Sequence, residues 1–244
     1  MRLRGQVALV TGGAQRVGRA IALDLGARGI RVALTYRTSA TAATAVVRQL
    51  KQRGVRALAV AVDQADVGQI RAGVRTVERT FGRIDLLVNN ASNFYPTPLA
   101  STTEAQWDDL LDVNLRAPFF FAQAVAPGMR RRRHGTIINI ADVAAVNPWP
   151  TYLPYCIAKA GVIALTRGLA KALAPHIRVN AIAPGPILPP PDLSRSEARR
   201  ALARTLLKRW GGPQEIVAAV RYLAEETNFV TGHILAVDGG RLLA

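Results

Sequence analysis

Cysteine is almost missing from this chain of 244 residues: Cys156 stands alone, so no internal disulfide forms and a disulfide scaffold is excluded. Histidine is nearly as scarce. His134, His176 and His233 are scattered without metal-ligand spacing, so no metal site is expected. No apolar run approaches the ~20 residues that span a bilayer. The opening "MRLRGQVALVTGG" has only a few apolar residues before glycines interrupt it, too short for a secretory h-region. The expectation is a soluble, cytoplasmic protein with no membrane partner. Long linkers, repeats and low-complexity tracts are also lacking. With half of its residues apolar, the chain is expected to form one domain over residues 1–244.

Acidic residues are few, 16 against 32 basic ones, which leaves a net charge of +16. Such a balance raises the question of a nucleic-acid partner, because clustered cations release counterions from a phosphate backbone. Here the basic residues are mostly dispersed arginines, with only four lysines. The one dense run, Arg130 to Arg133, falls where a helical pattern gives way to the next strand, as a solvated turn does. Nucleic acid is therefore not the expected partner.

What is present is an alternation of short apolar runs with longer helical patterns. "QVALV" (6–10), "RVALTY" (31–36), "RALAVAVD" (56–63), "IDLLVNN" (84–90), "GTIINIA" (135–141), "IRVNAIAP" (177–184) and "HILAVDGG" (233–240) read as about seven strands. Between most of them, segments such as "GRAIALDLGARG" and "TTEAQWDDLLDVNLRAPFFFAQAVAPGM" carry apolar residues at helical spacing. Continuous apolar strands joined by helices predict an α/β fold with a doubly wound parallel sheet covered on both faces. "PGPILPPPD" (184–192) is too rich in proline for regular structure and is read as a functional loop, part of a substrate segment over about 186–210.

Such sheets bind ligands beyond the carboxyl ends of their strands. After the first strand comes "TGGAQRVGRA" (11–20), whose Gly12, Gly13 and Gly18 permit a tight turn and close approach of a pyrophosphate to a helix N-terminus. The second strand ends in "TYRTS". Arg37, Thr38 and Ser39 suit a 2′-phosphate, and no carboxylate is present to hold a free 2′-hydroxyl, so NADPH is favoured over NADH. Asp63, ending the third strand, is placed to accept from an adenine amino group, with an ordinary turn aspartate as the other reading. In "YCIAK", Tyr155 and Lys159 are four apart on one helix face, where the ammonium can favour the phenolate. Asp142, thirteen residues before Tyr155, and Asn114 in "DVNLRAPFF" complete a polar set near strand ends.

These pieces, with "NNAS", "RVNAIAPGP" and "TGHILAVDGG" in order and spacing, resemble the short-chain dehydrogenase/reductases over essentially the full chain. The resemblance implies a Rossmann-like domain, NAD(P)(H) and hydride transfer. It makes Tyr155 the proton donor, Lys159 a ligand of the nicotinamide ribose that lowers the tyrosine pKa, and Asn114 the holder of a relay water. It also places Asn90, Ala91, Pro184 and Gly185 beside the cofactor. The full expected cofactor set is Thr11, Gly12, Gly13, Arg16, Val17 and Gly18, then Tyr36, Arg37, Thr38, Ser39 and Asp63, then Asn90, Ala91, Ser92, Pro184 and Gly185. A homotetramer is the family's frequent assembly, for which the apolar "AGVIALTRGLAKALA" could supply an interface.

Two departures narrow the resemblance. Arg16 stands where the family usually has a further glycine, and Asp142 stands at the family's catalytic serine position. A carboxylate repels a ketone oxygen unless protonated, so Asp142 suits a substrate that presents N–H groups or takes a proton on a ring nitrogen. Both departures, with "NNASNFYPTPL" (89–99), resemble the pteridine reductase branch. That resemblance implies that Phe94 lies over a flat pterin, with Ser92 and Arg16 in polar contact, and that a dihydropterin is reduced to the tetrahydro form, Asp142 or its water supplying the proton. Tyr155 would serve a fully oxidised pterin, and simple packing under a loop is the other account of Phe94 and Tyr95. The alternatives are a carbonyl reductase, such as a 3-oxoacyl-carrier-protein reductase drawing an acidic carrier to the basic surface, and a non-catalytic dinucleotide-sensing or nucleic-acid-binding module.

Overall fold

A computed structural model describes residues 5–189 and 194–244. The prolines and acid at 190–192 of the expected substrate loop lie outside the described residues. All seven expected strands form: β1 (Val7–Val10), β2 (Arg31–Tyr36), β3 (Ala57–Ala61), β4 (Leu86–Asn89), β5 (Gly135–Ile140), β6 (Ile177–Pro184) and β7 (Ile234–Val237). They pair in parallel in the order β3-β2-β1-β4-β5-β6-β7. Burial on both faces explains why β1, β2, β4, β5 and β6 are apolar without alternation; the edge strands β3 and β7 are only partly buried. In β1, Ala8 and Val10 enter one core while Val7 and Leu9 enter the other.

Helices α1 (Arg16–Ala27) and α2 (Ala40–Gln52) cover the first face, and α3 (Val67–Phe81) covers the second. Next in the chain come α4 (Glu104–Leu111), α5 (Ala117–Arg131), α6 (Leu153–Leu173), α7 (Arg195–Ala203) and α8 (Pro213–Arg221). α5 and α6 join α3 on the second face, and α8 packs with α1 on the first. Among the described residues of the expected substrate segment, only α7 is helical.

The long helical pattern over 102–129 is interrupted. Between α4 and α5 the chain makes a wide π-helical turn, Asp112–Arg116. The cause is Asn114, whose amide donates to the Leu110 carbonyl at 2.9 Å, a position that a backbone N–H takes in a regular ladder.

The arginine run is more than a solvated turn. Arg130 donates to the Ala172 carbonyl at 2.6 Å, near the end of α6, and Arg132 donates to the Ile84 carbonyl at 2.5 Å. Their charge braces backbone at the lower edge of the sheet. Among the described residues, no helix is long and apolar enough to cross a membrane.

Candidate active site

Strand order reverses direction between β1 and β4, and there the chain leaves a cleft of about 450 Å³ beyond the carboxyl ends of the strands. The turn after β1 forms its floor. Gly12 lies at φ +62°, and a Cβ on it would sit 2.9 Å from the Ala91 Cα; a Cβ on Gly18 would meet the Gly12 carbonyl oxygen at 2.3 Å. Only glycine allows α1 to start this close to β4. The turn is laced to its neighbours. Thr11 Oγ1 accepts from the Asn90 and Ala91 N–H groups at 3.0 and 3.1 Å, and Asn90 Nδ2 donates to the Thr11 carbonyl at 2.9 Å. From the other side, Thr35 Oγ1 accepts from the Gly12 N–H at 3.2 Å.

Arg16, in the glycine position of the resemblance, adopts φ +47°, a left-handed conformation that costs a side-chain-bearing residue about 1 kcal/mol or more. Its guanidinium does not hang over the turn. It donates to the Leu188 and Pro189 carbonyls at 3.4 and 3.2 Å, tying α1 to the segment after β6. The first turn of α1 has no carboxylate, and its cap residue Gln15 makes no side-chain bond there, so the positive end of the helix faces the cleft uncompensated.

Tyr36, Arg37, Thr38 and Ser39 line the far rim, with Arg37 exposed, and Asp63 borders them while its Oδ1 accepts from the Ala65 N–H at 3.0 Å. Asn90, Ala91, Ser92, Pro184 and Gly185 line the inner wall beside Val17 and Gly18. A Cβ on Gly185 would stand 2.6 Å from the Asp238 Cα, so the end of β6 packs directly on the end of β7. The sequence-derived cofactor set thus converges on one cleft, with Thr11 and Gly13 supporting it from beneath.

Tyr155, Lys159 and Asp142 sit at its inner end. The Tyr155 phenol donates to Asp142 Oδ2 at 2.8 Å, while Asp142 Oδ1 accepts from the Ala144 N–H at 2.8 Å. Lys159 Nζ donates to the Ile140 carbonyl at 2.9 Å and lies 5.6 Å from the centre of the Tyr155 ring. The expected lowering of the tyrosine pKa does not follow from this arrangement. Burial, and then the Asp142 charge, push the phenol well above its ordinary value, while the charge of Lys159 acts on Asp142 instead. Burial also raises Asp142 and pushes Lys159 down to about 8.

Asn114 is engaged by protein groups. Its Oδ1 accepts from Ser92 Oγ at 2.5 Å and its amide donates to the Asn93 carbonyl at 3.0 Å. Ser92 beside the phenol works weakly to lower its pKa, against the larger effects of burial and Asp142. Tyr155 with Asp142, and Ser92 with Asn114, therefore form two hydrogen-bonded pairs at the inner end of the cleft.

Phe94 and Tyr95 part company. Tyr95 is half-buried, its hydroxyl donating to Asp109 Oδ2 at 2.8 Å, which makes it a packing residue. Phe94 remains 44% exposed, edge-on to Tyr155 with centroids 4.9 Å apart. Sequence reasoning missed its other neighbours, Trp149 and Tyr152. The signal was there: Trp149, Tyr152 and Tyr155 recur every third residue, although Pro148, Pro150 and Pro154 disguise the pattern. It also missed Arg241 after β7, whose charge helps to hold Asp142 down and whose Nη1 donates to the Arg204 carbonyl at 3.3 Å.

Comparison with known proteins agrees with this geometry. A family model described as Enoyl-(Acyl carrier protein) reductase matches residues 12–241. The 3-oxoacyl-[acyl-carrier-protein] reductase FabG of Staphylococcus aureus is 38% identical over 237 residues, which cover 96% of each chain. Among solved structures, a blue fluorescent protein from a metagenomic library in complex with NADPH superposes with a TM-score of 0.92 at 36% identity, covering 99% of both chains. FolM alternative dihydrofolate reductase 1 from Brucella canis, complexed with NADP, gives 0.91 at 34% identity, covering 100% of this chain and 97% of the other. From its glycine turn to its Tyr155 and Lys159 pair, the chain belongs to the short-chain dehydrogenase/reductase family.

Proposed function

We propose that this chain is an NADPH-dependent reductase of a dihydropterin ring. The observation that carries the reading is Asp142, hydrogen-bonded to Tyr155 where the family has a serine, with the exposed Phe94 ring 4.9 Å from the same tyrosine. The cleft suits the cofactor: the glycine turn is a cradle that any Cβ would fill, and the end of β2 offers the Arg37 guanidinium with the Thr38 and Ser39 hydroxyls and no carboxylate of its own. NADPH and NADP are also what two of the similar solved structures hold. When bound, NADPH supplies the hydride.

The chain's own residues do the remaining work. The first turn of α1 and the glycine turn hold the pyrophosphate, Arg37 with Thr38 and Ser39 hold the 2′-phosphate, and Lys159 holds the nicotinamide ribose. Phe94 orients the flat ring so that its imine carbon faces the hydride donor. The imine nitrogen takes its proton from Asp142 or a water that Asp142 holds, a role favoured by the raised pKa of that carboxyl. Tyr155, held protonated, orients Asp142 through its 2.8 Å hydrogen bond, and solvent in the cleft that Asp142 lines returns the proton to the carboxylate.

A second reading is favoured by overall similarity: 38% identity to 3-oxoacyl-carrier-protein reductases supports reduction of a β-ketoacyl thioester. In that chemistry Asp142 must be protonated before an oxyanion develops beside it. Consumption of reduced nicotinamide with a dihydropterin, measured beside an acetoacetyl thioester, separates the two. Turnover of the pterin is expected; turnover of the thioester alone overturns the first reading.

A further inference from the structure

Phe94 lies in a stretch, residues 90–96, that has no regular secondary structure, yet its ring has a defined plane. That plane comes from Tyr152. The two rings are parallel to within 3° with centroids 4.6 Å apart, and Trp149 meets both edge-on, at 6.2 Å from Phe94 and 5.9 Å from Tyr152. Tyr152, unlike Phe94, is fixed by its backbone. Its N–H donates to the Trp149 carbonyl at 2.9 Å, its carbonyl accepts from the Cys156 N–H at 2.9 Å, and the preceding Thr151 carbonyl accepts from Thr97 at 2.7 Å.

We infer that Tyr152 is a positioning residue that holds Phe94 as a flat plate, so that the Phe94 face turned away from Tyr152 recognises a planar bicyclic heteroaromatic ring. The inference rests on the dihydropterin reading and specifies how the ring is held. Tyr152 covers one face of Phe94, and the residue as a whole remains 44% exposed, which leaves the opposite face as the one to offer. Offset or parallel stacking then adds the substrate as a third layer, at the edge of the cleft that Tyr155 and Asp142 line. The Tyr152 hydroxyl has no part in this, so a phenylalanine should serve as well.

The test measures binding of a fully oxidised pterin to the NADP-loaded protein by calorimetry. Wild type and Tyr152→Phe are expected to bind alike. Tyr152→Leu and Phe94→Leu should each weaken binding about three- to tenfold, the range that a lost aromatic pair implies. Because Tyr152 acts through Phe94, the double variant should bind no more weakly than Phe94→Leu alone. In turnover, Tyr152→Leu should raise KM for dihydropterin and leave kcat nearly unchanged. NADP affinity and melting temperature report on folding, and Tyr152→Met carries the same test if the leucine variant does not load NADP. Pterin binding by wild type with equal binding by Tyr152→Leu, or strictly additive losses in the double variant, overturns the role of Tyr152 alone. Absence of pterin binding by wild type overturns the dihydropterin reading and this inference with it.

Discussion

The phenol of Tyr155 donates to Asp142 Oδ2 at 2.8 Å, and the two groups respond in opposite directions: the carboxylate's charge keeps the phenol protonated, while the phenol's hydrogen bond favours the ionised carboxylate against its burial. Burial is the larger influence on both. The pair is therefore a proton reservoir whose state depends on what enters the cleft.

Replacing Asp142 by asparagine keeps the shape and removes the charge. The folded-state pKa of Asp142 is raised above the ordinary 3.8, so the fold holds this proton more tightly than the unfolded chain does. Stability from the group is full in acid and is lost as pH rises through the raised value. At neutral pH, Asp142→Asn is expected to melt about 2–4 °C higher, with the gain vanishing below about pH 4, while dihydropterin turnover falls about 100-fold. Melting scans at the two pH values check the first part; an unchanged difference between them refutes it.

Lys159, pushed down to about 8 by burial, loses its charge on the alkaline side. The pH profile of kcat/KM, which reports the free enzyme, is expected to fall above about pH 8. In Lys159→Arg the charge persists, so the alkaline limb should move up by about two pH units or disappear, on a lower plateau. A limb that stays in place assigns the titration to another group.

Arg37 should decide between the two nicotinamide cofactors. Arg37→Ala is expected to raise KM for NADPH by about 10- to 100-fold, the worth of a charge-assisted contact, and to change KM for NADH about twofold at most. Parallel steady-state titrations with both cofactors decide it, and equal losses would place Arg37 outside the phosphate site.

Two glycines separate close approach from mere flexibility. An alanine Cβ at position 18 would lie 2.3 Å from the Gly12 carbonyl oxygen and 2.5 Å from Asn90 Nδ2, whereas at Gly168, inside α6, it meets nothing within 4 Å. Gly18→Ala should weaken NADPH binding more than ~10-fold by moving the turn. Gly168→Ala should leave binding alone and add about 0.5–1 kcal/mol of stability. Calorimetric titration and urea unfolding of both variants make the comparison.

Behind the site, Asn89 Nδ2 donates to Asn139 Oδ1 at 2.8 Å, and Asn139 Nδ2 donates to Thr166 Oγ1 at 2.9 Å, all buried. Thr166→Val keeps the volume and orphans the Asn139 amide. A loss of about 1–3 kcal/mol in urea unfolding is expected; a shift below 0.5 kcal/mol would show that the amide finds another partner.

The inner strands were legible because each is buried on both faces and so reads as an unbroken apolar run; β2 and β6 begin and end where "RVALTY" and "IRVNAIAP" do. The glycine turn and the Tyr155 and Lys159 pair were legible because their geometry is local. What stayed hidden depends on distance in the chain or on competition between effects. The grip of Arg16 on the Leu188 and Pro189 carbonyls spans more than 170 residues. Whether Asp142 or Lys159 governs the phenol is a contest of burial and separation that spacing does not resolve. The π-helical turn at Asn114 follows from one side chain entering the helical ladder, which apolar periodicity does not register.

The lacing of Thr11 to Asn90 and Ala91 also bears on how the protein comes into being. These partners are separated by 79 and 80 positions, and the groove that they close has no wall until β1 and β4 lie side by side. A nascent chain that has made only its first three strands carries the glycine turn and the Arg37 rim but has nothing to press a dinucleotide against. Capture of the coenzyme is thus a late event in maturation, and once made it fastens the two halves of the chain to each other, so that withdrawal of the coenzyme should loosen their junction before either half frays.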